Sequence, residues 1–294
     1  MTKIKSPKKG TWISAHDISH KELRILVELG FDEDLLEDAI DYFEVPRFEY
    51  VNEVNYLFTR YPIISEDGEL STAPLLIALS DTIVLTVSPR KVEFLDDFAH
   101  NRAPFITTQK NKAMLVILET IVQHYHRSIM TIRRTMLKYF SNIGNISEAD
   151  MKGFVGLESM VTDYMSALDP TKEALDYMIL RNKKITLHEE DVEIMEDLSL
   201  DIKQMIESGK SVSKNIQTIR SAHESILAHK LNITMKTLTA VTIVLTIPTI
   251  ITSLFGMNTW LPFSEGPLSF LAILTLTAVI AFFVVWLFKR NQWI

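Results

Sequence analysis

The sequence predicts an α/β N-terminal cytosolic domain followed by a long stalk helix and two C-terminal transmembrane helices. Three observations predict this class. Segments with the pattern of strands, in which β-branched and aromatic residues alternate with turn signals, end before residue 105. A helical pattern without proline runs from near His188 to Pro248. Two runs free of charged residues, Thr237–Phe255 and Leu268–Phe288, lie near the end of the 294-residue chain.

Residues 1–105 form the predicted α/β domain. Residues 17–44 indicate two short helices separated by Gly30, the second with apolar residues at helical spacing. The segments 47–64, 73–80 and 82–88 combine β-branched and aromatic side chains with flanking turn residues, which predicts strands. The sequence SEDGE has the composition of a hairpin connection.

Residues 106–187 are predicted to be entirely helical, over 110–142, 148–167 and 171–184. Asn142, Gly144 and Asn145 supply the first break between helices. Asp169 and Pro170 supply the second, because proline lacks the amide hydrogen that a helix interior uses. The predicted order is therefore an α/β domain followed by helices alone.

The stalk helix is predicted to occupy residues 188–236 and to continue into the first membrane span. At about 1.5 Å per residue, an unbroken helix over 190–255 would be roughly 100 Å long. Apolar residues recur along it every three to four positions, which predicts a packing stripe. The stripe consists of Val192, Met195, Ile202, Met205, Val212, Ile216, Ile219 and Ile226.

The membrane spans are predicted at 237–258 and 268–288, joined by a loop at 259–267 and followed by a basic tail at 289–294. A bilayer core requires about 20 apolar helical residues, and both runs are long enough. The alternative, a hairpin buried in a soluble core, is disfavoured because uncharged soluble helices of this length are rare.

Flanking charges predict the orientation of these spans in the cell membrane. Lys230 and Lys236 precede the first span, Lys289 and Arg290 follow the second, and the loop between them has no lysine or arginine. By the positive-inside rule both termini are cytoplasmic. The basic N-terminus lacks the apolar segment of a signal peptide, and the absence of cysteine excludes thiolate metal sites.

A second stripe on the long helix, here called the polar seam, is made mostly of small and polar residues. Its spacing of about 3.5 keeps it on one face of a supercoiled helix. Such a face mediates close helix packing in membranes or lines a water-filled pore, and Lys214 and Asn232 favour the pore. The seam consists of Ser211, Lys214, Thr218, Ser221, Ser225, Ala228, Asn232, Met235, Thr239, Thr242, Thr246, Thr249 and Ser253.

The segment NITMKTLTAVTIVLTIPTIITSLFGMN, residues 232–258, resembles the CorA-type magnesium and cobalt transporters. The shared features are the Asn-x-x-Met-Lys-x-Leu-Thr start, a proline in the first span and Gly-Met-Asn at its end. The resemblance implies a funnel-shaped homopentamer whose first span lines a pore and whose second span faces lipid. It also implies Mg²⁺ or another divalent cation as substrate and regulatory ligand, no resident cofactor and no enzymatic activity.

The same resemblance implies a selectivity filter at Gly256, Met257 and Asn258, where five Asn258 carbonyls accept hydrogen bonds from the waters around Mg²⁺. Typical members carry a bulky methionine or leucine where this chain has Thr246. Because of this difference, we expect the gate at Met235 and Leu238, nearer the cytoplasm. The implied pore lining is Asn232, Met235, Leu238, Thr239, Thr242, Thr246, Thr249 and Ser253.

A regulatory metal site is implied at Asp197, which a gap-free count places where the family's stalk carries its sensing aspartate. Asp96 and Asp97 are expected partners from a neighbouring subunit. Oxygen ligands of this kind suit Mg²⁺. Without the resemblance, the acidic segment HEEDVEIMEDLSLD is interpreted as a solvated helix face.

The sequence leaves two other functions open. The loop carries Glu265 alone, where typical magnesium channels are more acidic, so a proton-coupled Zn²⁺ or Ni²⁺ transporter of the ZntB-like branch is an alternative. A membrane-anchored ion sensor is the other. The expected partners are further copies of the chain, the lipid bilayer and divalent cations. A net charge of −7 argues against nucleic acid.

Overall fold

The structure is a computed structural model that describes residues 2–3, 10–64, 70–98, 109–140, 146–180, 188–257, 268–291 and 293. The chain divides into two compact units, Met1–Ile219 and Arg220–Ile294. The strands are β1 (Thr2–Lys3), β2 (Thr11–His16), β3 (Arg47–Val51), β4 (Val54–Ile64), β5 (Leu70–Leu79) and β6 (Ile83–Ser88). The helices are α1 (His20–Glu28), α2 (Glu33–Asp38), α3 (Glu93–Asp97), α4 (Lys110–Phe140), α5 (Glu148–Leu180), α6 (Glu189–Phe255) and α7 (Ser269–Arg290).

The described strands of the first unit form one mixed sheet in the order β1-β2-β6-β5-β4-β3. Strands β2 and β6 are parallel, with Ile13 opposite Leu85, whereas the other neighbouring strands are antiparallel. Strands β4 and β5 are the longest pair, and Leu57 lies opposite Ile77. The predicted hairpin connection at 65–69 lies outside the described residues.

Both faces of the sheet are buried, which explains the nearly continuous apolar character of β5. On one face Tyr56 and Leu76 join a core with Leu26 and Leu36 of the two short helices. On the other face alternate residues of the same strands, such as Leu57, join a core with residues of α4, α5 and α6. The α/β prediction for this part of the chain is confirmed, and the sheet lies between two helical layers.

The two predicted short helices are confirmed, and Gly30 ends the first of them. Gly30 has φ +95°, a conformation that side chains disfavour. The Phe31 amide donates to the Leu26 carbonyl and the Gly30 amide to the Val27 carbonyl, which together form a Schellman cap. Ser19 and Glu22 form a capping box at the start of α1.

The sequence patterns do not predict three short elements, namely β1, β2 and α3. Strand β2 is stabilised by a partner distant in sequence, since it pairs with β6 and the Trp12 indole donates to the Thr86 hydroxyl at 3.1 Å. The predicted strands over 73–80 and 82–88 are confirmed, as is the change to helices after them. The segment 47–64, predicted as a single strand, is instead the antiparallel pair β3 and β4, with a turn at Asn52 and Glu53.

The predicted helix break at Asp169 and Pro170 is wrong, because α5 continues through Pro170 to Leu180. Proline inside a helix costs about 3 kcal/mol, since one backbone hydrogen bond is lost. Buried side chains on both sides of Pro170 outweigh this cost, because burying one leucine or methionine side chain contributes about 1.5–3 kcal/mol. They include Leu168 before the proline and Leu175 and Met178 after it.

Helix α6 is unbroken over 67 residues, as predicted, and passes through Gly209 and Pro248. Its apolar stripe is confirmed within the first unit, where Met195, Ile202, Met205, Val212, Ile216 and Ile219 are buried. A Cβ atom at Gly209 would lie 3.2 Å from Cγ of Met165. The glycine therefore permits close packing of α6 against α5 at this level.

The second unit contains the end of α6 and the whole of α7. Both helices are long and apolar enough to cross a membrane, and only 6% and 0% of their most apolar segments are buried. This exposure argues against a hairpin buried in a soluble core. The limits of the spans at 237–258 and 268–288 stay predictions, because helix bounds do not define the limits of a bilayer.

Candidate pore and metal sites

The polar seam lies on one exposed face of α6. All thirteen of its residues, from Ser211 to Ser253, are exposed in the single chain. From residue 231 to the end of α6, the less exposed residues form a different stripe, which consists of Ala240, Val244, Ile247, Pro248, Ile251 and Phe255. The polar seam and this less exposed stripe lie on different faces of α6, and apolar residues such as Leu245 and Ile250 are exposed as well.

Threonine hydroxyls within the seam are hydrogen-bonded to their own helix. Thr242 donates to the Leu238 carbonyl at 2.9 Å, Thr246 to the Thr242 carbonyl at 2.7 Å, and Thr249 to the Leu245 carbonyl at 3.1 Å. A hydroxyl has one proton and two acceptor lone pairs. Each of these oxygens can therefore only accept hydrogen bonds from groups in front of the seam.

Met235 and Leu238, the predicted gate residues, are also exposed, at 53% and 60%. They lie nearly one turn apart on α6, next to Thr239 and Thr242 of the seam. Both side chains are apolar and large enough to narrow a pore that several copies of α6 surround. Their role as a gate remains a prediction.

The predicted filter lies where α6 ends. The Gly256 amide donates to the carbonyls of Thr252 and Ser253 at 3.0 and 3.2 Å. A Cβ atom on Gly256 would lie 3.2 Å from the Thr252 carbonyl oxygen, which belongs to rigid backbone. Glycine therefore suits this tight helix end. Met257 is 55% exposed, and Asn258 lies outside the described residues.

Asp197 lies on the part of α6 that belongs to the first unit, and its side chain is exposed. Its neighbour Ser199 is buried and donates to Oδ1 of Asp176 on α5 at 2.6 Å. Lys172 donates to the other oxygen of Asp176 at 2.5 Å. The turn of α6 that carries Asp197 is thus tied to α5.

The Asp176 carboxyl is an electrostatic feature that the sequence analysis missed. Partial burial raises the pKa of Asp176, but hydrogen bonds from Lys172 and Ser199 together lower it below its ordinary value. Asp176 is therefore ionised at neutral pH and keeps accepting both bonds. The spacing of Lys172 and Asp176, four residues apart on a helix, was the available sequence signal.

Asp96 and Asp97, the predicted partners of Asp197, end the short helix α3. Asp96 forms an ion pair with Lys91 at 2.6 Å, whereas Asp97 is the more exposed of the two. No group of three or more His, Cys, Asp or Glu residues that could hold a metal ion occurs in the described part of the chain. Within the described residues, Asp197 belongs to no such group.

The chain is similar to known proteins over most of its length. A family model described as "CorA-like Mg2+ transporter protein" matches residues 7–290. The chain is 25% identical to the cobalt/magnesium transport protein CorA of Methanocaldococcus jannaschii, over 96% of this chain and 91% of that protein.

Solved structures share the fold over most of the chain. The complete structure of the CorA magnesium transporter from Methanocaldococcus jannaschii has a TM-score of 0.89 at 24% identity, and the match covers 100% of this chain and 95% of that one. The ZntB cytoplasmic domain from Vibrio parahaemolyticus has a TM-score of 0.63 at 10% identity, covering 76% and 90%. Both likenesses concern the fold alone.

Proposed function

The chain belongs to the CorA-like Mg²⁺ transporter family, whose model matches residues 7–290, and on that premise we propose that it transports divalent metal cations, with Mg²⁺ as the main substrate. The relative at 25% identity is named as a cobalt and magnesium transport protein, which adds Co²⁺ to the candidates. The observation that carries the proposal is the exposed polar seam on α6, because it provides a hydrophilic face within a membrane-spanning helix. Proteins of this family are transporters and not enzymes.

The proposed pore forms where five copies of the chain bring their polar seams around one axis. Mg²⁺ gives up its water reluctantly, so a pore for it must interact with hydrated ions. The waters of a hydrated cation point their hydrogens outward and require acceptors. The hydroxyl oxygens of Thr242, Thr246 and Thr249 are such acceptors, because their protons are already donated to backbone carbonyls.

The proposed topology places both termini in the cytoplasm and the loop at 259–267 outside. Lys289 and Arg290 are the last two residues of α7, whereas the loop contains neither lysine nor arginine. The positive-inside rule favours this orientation. With this topology the first unit lies in the cytosol, where Asp197 can respond to internal Mg²⁺ through a site shared between subunits.

The comparisons favour this function over a proton-coupled transporter of the ZntB-like branch. The match to the CorA relative covers 96% of the chain. The match to ZntB concerns a cytoplasmic domain at 10% identity, and such a likeness indicates the fold and not the transported ion. A membrane-anchored sensor that does not conduct is the second alternative, and the polar seam within the span argues against it.

Ion flux into liposomes tests the proposal. The full-length protein is reconstituted, and uptake of Mg²⁺, Co²⁺, Ni²⁺ and Zn²⁺ is measured with and without a proton gradient. We expect Mg²⁺ uptake that does not require the gradient. Zn²⁺ or Ni²⁺ uptake only with the gradient would support the ZntB-like alternative, and no uptake of any ion by correctly assembled protein would support the sensor.

The pore lining predicts that Thr246→Val lowers Mg²⁺ flux. Valine has nearly the same shape but no oxygen, so each subunit loses one acceptor for hydrated ions. One lost hydrogen bond of about 1 kcal/mol corresponds to a decrease of roughly fivefold, so the loss from five subunits should be at least that large. The matched control is Thr275→Val on α7, whose hydroxyl also donates to a carbonyl of its own helix, that of Leu271 at 2.8 Å. An equal decrease in both variants would contradict the assignment of the seam as the pore lining.

A further inference from the structure

The C-terminal end of α7 carries a cluster of aromatic and basic side chains with defined geometry. The Arg290 guanidinium lies over the Trp286 ring, with Cζ 5.4 Å from the ring centroid. The Phe288 and Trp293 rings are stacked at 5.5 Å with 12° between their planes. Trp286 and Trp293 remain 47% and 38% exposed. This arrangement, together with Lys289, is here called the α7 end cluster.

The helix end is already capped by its own backbone. The Trp293 amide donates to the Phe288 carbonyl at 2.9 Å, and the Asn291 amide donates to the Leu287 carbonyl at 3.1 Å. The first of these bonds and the ring stack are the hydrogen bond and the apolar contact of a Schellman cap. Trp293 is thereby held against the end of α7.

Basic residues at a helix C-terminus usually offset the partial negative charge of the last carbonyls. Arg290 does something different, because its guanidinium lies over a ring one turn nearer the helix start. The side chain therefore points back along α7, toward the apolar span. Tryptophan rings in membrane proteins concentrate at the level of the lipid headgroups, so Trp286 holds the guanidinium at that level.

Among the described residues, no carboxylate pairs with the basic residues of the cluster. Within the described residues of the second unit, Glu224 is the single acidic residue, and no ion pair of Lys289 or Arg290 with a carboxylate is found there. A guanidinium offers a planar fork of donors that matches phosphate oxygens. Its planar face is occupied by the indole, which leaves the donor edge available.

We propose that the α7 end cluster binds the phosphate of an anionic phospholipid headgroup. Arg290, oriented by Trp286, supplies the donors, Lys289 adds positive charge, and the exposed tryptophan rings lie beside the upper acyl chains. The site depends on the membrane-spanning role of α7 and is independent of ion transport. A diffuse attraction between basic residues and an anionic membrane is the competing account, and it requires no particular geometry.

Spin-labelled lipids can test the site on the full-length protein in phosphatidylcholine bilayers. The measured quantity is the association of labelled phosphatidylglycerol relative to labelled phosphatidylcholine. We expect the wild type to prefer phosphatidylglycerol, and we expect Arg290→Gln to lower this preference about fivefold. Trp286→Leu should lower it as well, although it removes no charge, and Arg290→Lys should restore it only in part.

Lys236→Gln is the matched control, because it also removes one positive charge next to a membrane span. The proposed site predicts little change in this variant, whereas diffuse attraction predicts the same loss as in Arg290→Gln. Equal losses, or an unchanged preference in Trp286→Leu, would overturn the proposal. Soluble glycerol 3-phosphate at millimolar concentration should not compete, and competition by it would assign the site to free anions. Mg²⁺ flux measured on Arg290→Gln shows whether the variant is correctly assembled.

Discussion

Asn258→Ala should abolish selective Mg²⁺ uptake while the protein still assembles. Asn258 follows the polar seam at the predicted outer end of the first span, and we propose, from the resemblance of residues 232–258 to CorA-type transporters, that it belongs to the filter. A side-chain carbonyl can accept hydrogen bonds from the first-shell waters of Mg²⁺. Alanine offers no acceptor, so the hydrated ion would lose its contacts at the mouth of the pore.

The size of this effect follows from the number of groups lost. In a pentamer the substitution removes five amide groups at one level, and each hydrogen bond contributes about 1 kcal/mol. The loss of five such hydrogen bonds corresponds to a decrease in flux of several factors of ten. A carboxylate would bind the ion more strongly and slow its release, so Asn258→Asp should also conduct poorly, although it keeps the acceptors.

The measurement is Mg²⁺ uptake into liposomes that contain equal amounts of assembled wild-type or variant protein. Asn291→Ala is the control, because it alters an asparagine at the end of α7, far from the polar seam in sequence. We expect wild-type uptake in this control. Undiminished Mg²⁺ flux through correctly assembled Asn258→Ala would remove Asn258 from the filter and leave the rest of the pore assignment untouched.

Local patterns were sufficient to predict most elements of this fold. The apolar stripe of the stalk and the two short helices around Gly30 depend on contacts within a few turns, so helical spacing and glycine indicate them directly. Strand β2 depends on pairing with β6, about 70 residues away, and its six residues carry little local signal. The break at Pro170 was predicted by a correct local rule, which the burial of α5 on both sides overrides.

The candidate sites also differ in how far they can be predicted, because some depend on local spacing and others on contacts distant in sequence. A seam of 3.5-residue spacing defines a helix face, and the seam residues are exposed in the structure, but their role as a pore lining stays a prediction. The ion pair of Asp96 with Lys91 and the bonds of Asp176 depend on side-chain positions that no spacing rule supplies. A metal site shared between copies adds ligands whose positions depend on the assembly of the chains.

Asp197→Ala should produce a transporter that conducts at internal Mg²⁺ concentrations that silence the wild type. The proposal is that Asp197 helps to hold a divalent ion between subunits and that this ion binds the closed state more tightly. A ligand shifts a conformational equilibrium only by its difference in affinity for the two states. Removing a charged ligand should cost about 1.5–3 kcal/mol of that difference, which shifts the inhibitory Mg²⁺ concentration by roughly tenfold or more.

The structure indicates that this substitution leaves the fold intact. Asp197 is exposed, and exposed substitutions usually change stability by less than about 0.5 kcal/mol. The neighbouring contact between Ser199 and Asp176, which ties α6 to α5, does not involve the Asp197 side chain. A change in regulation would therefore report the loss of a ligand rather than partial unfolding of the helix.

Glu196→Ala is the matched control, because it removes the same charge from the adjacent exposed position of the same helix. A shared metal site predicts that Asp197→Ala shifts inhibition by internal Mg²⁺ and that Glu196→Ala does not. It also predicts that Mg²⁺ protects the stalk of the wild type from protease and no longer protects Asp197→Ala, since a ligand stabilises the state that it binds. A solvated acidic helix face predicts the same small change in both variants. Wild-type inhibition together with wild-type proteolysis in Asp197→Ala would refute the sensor and leave the transport proposal standing, because the pore residues lie on another part of α6.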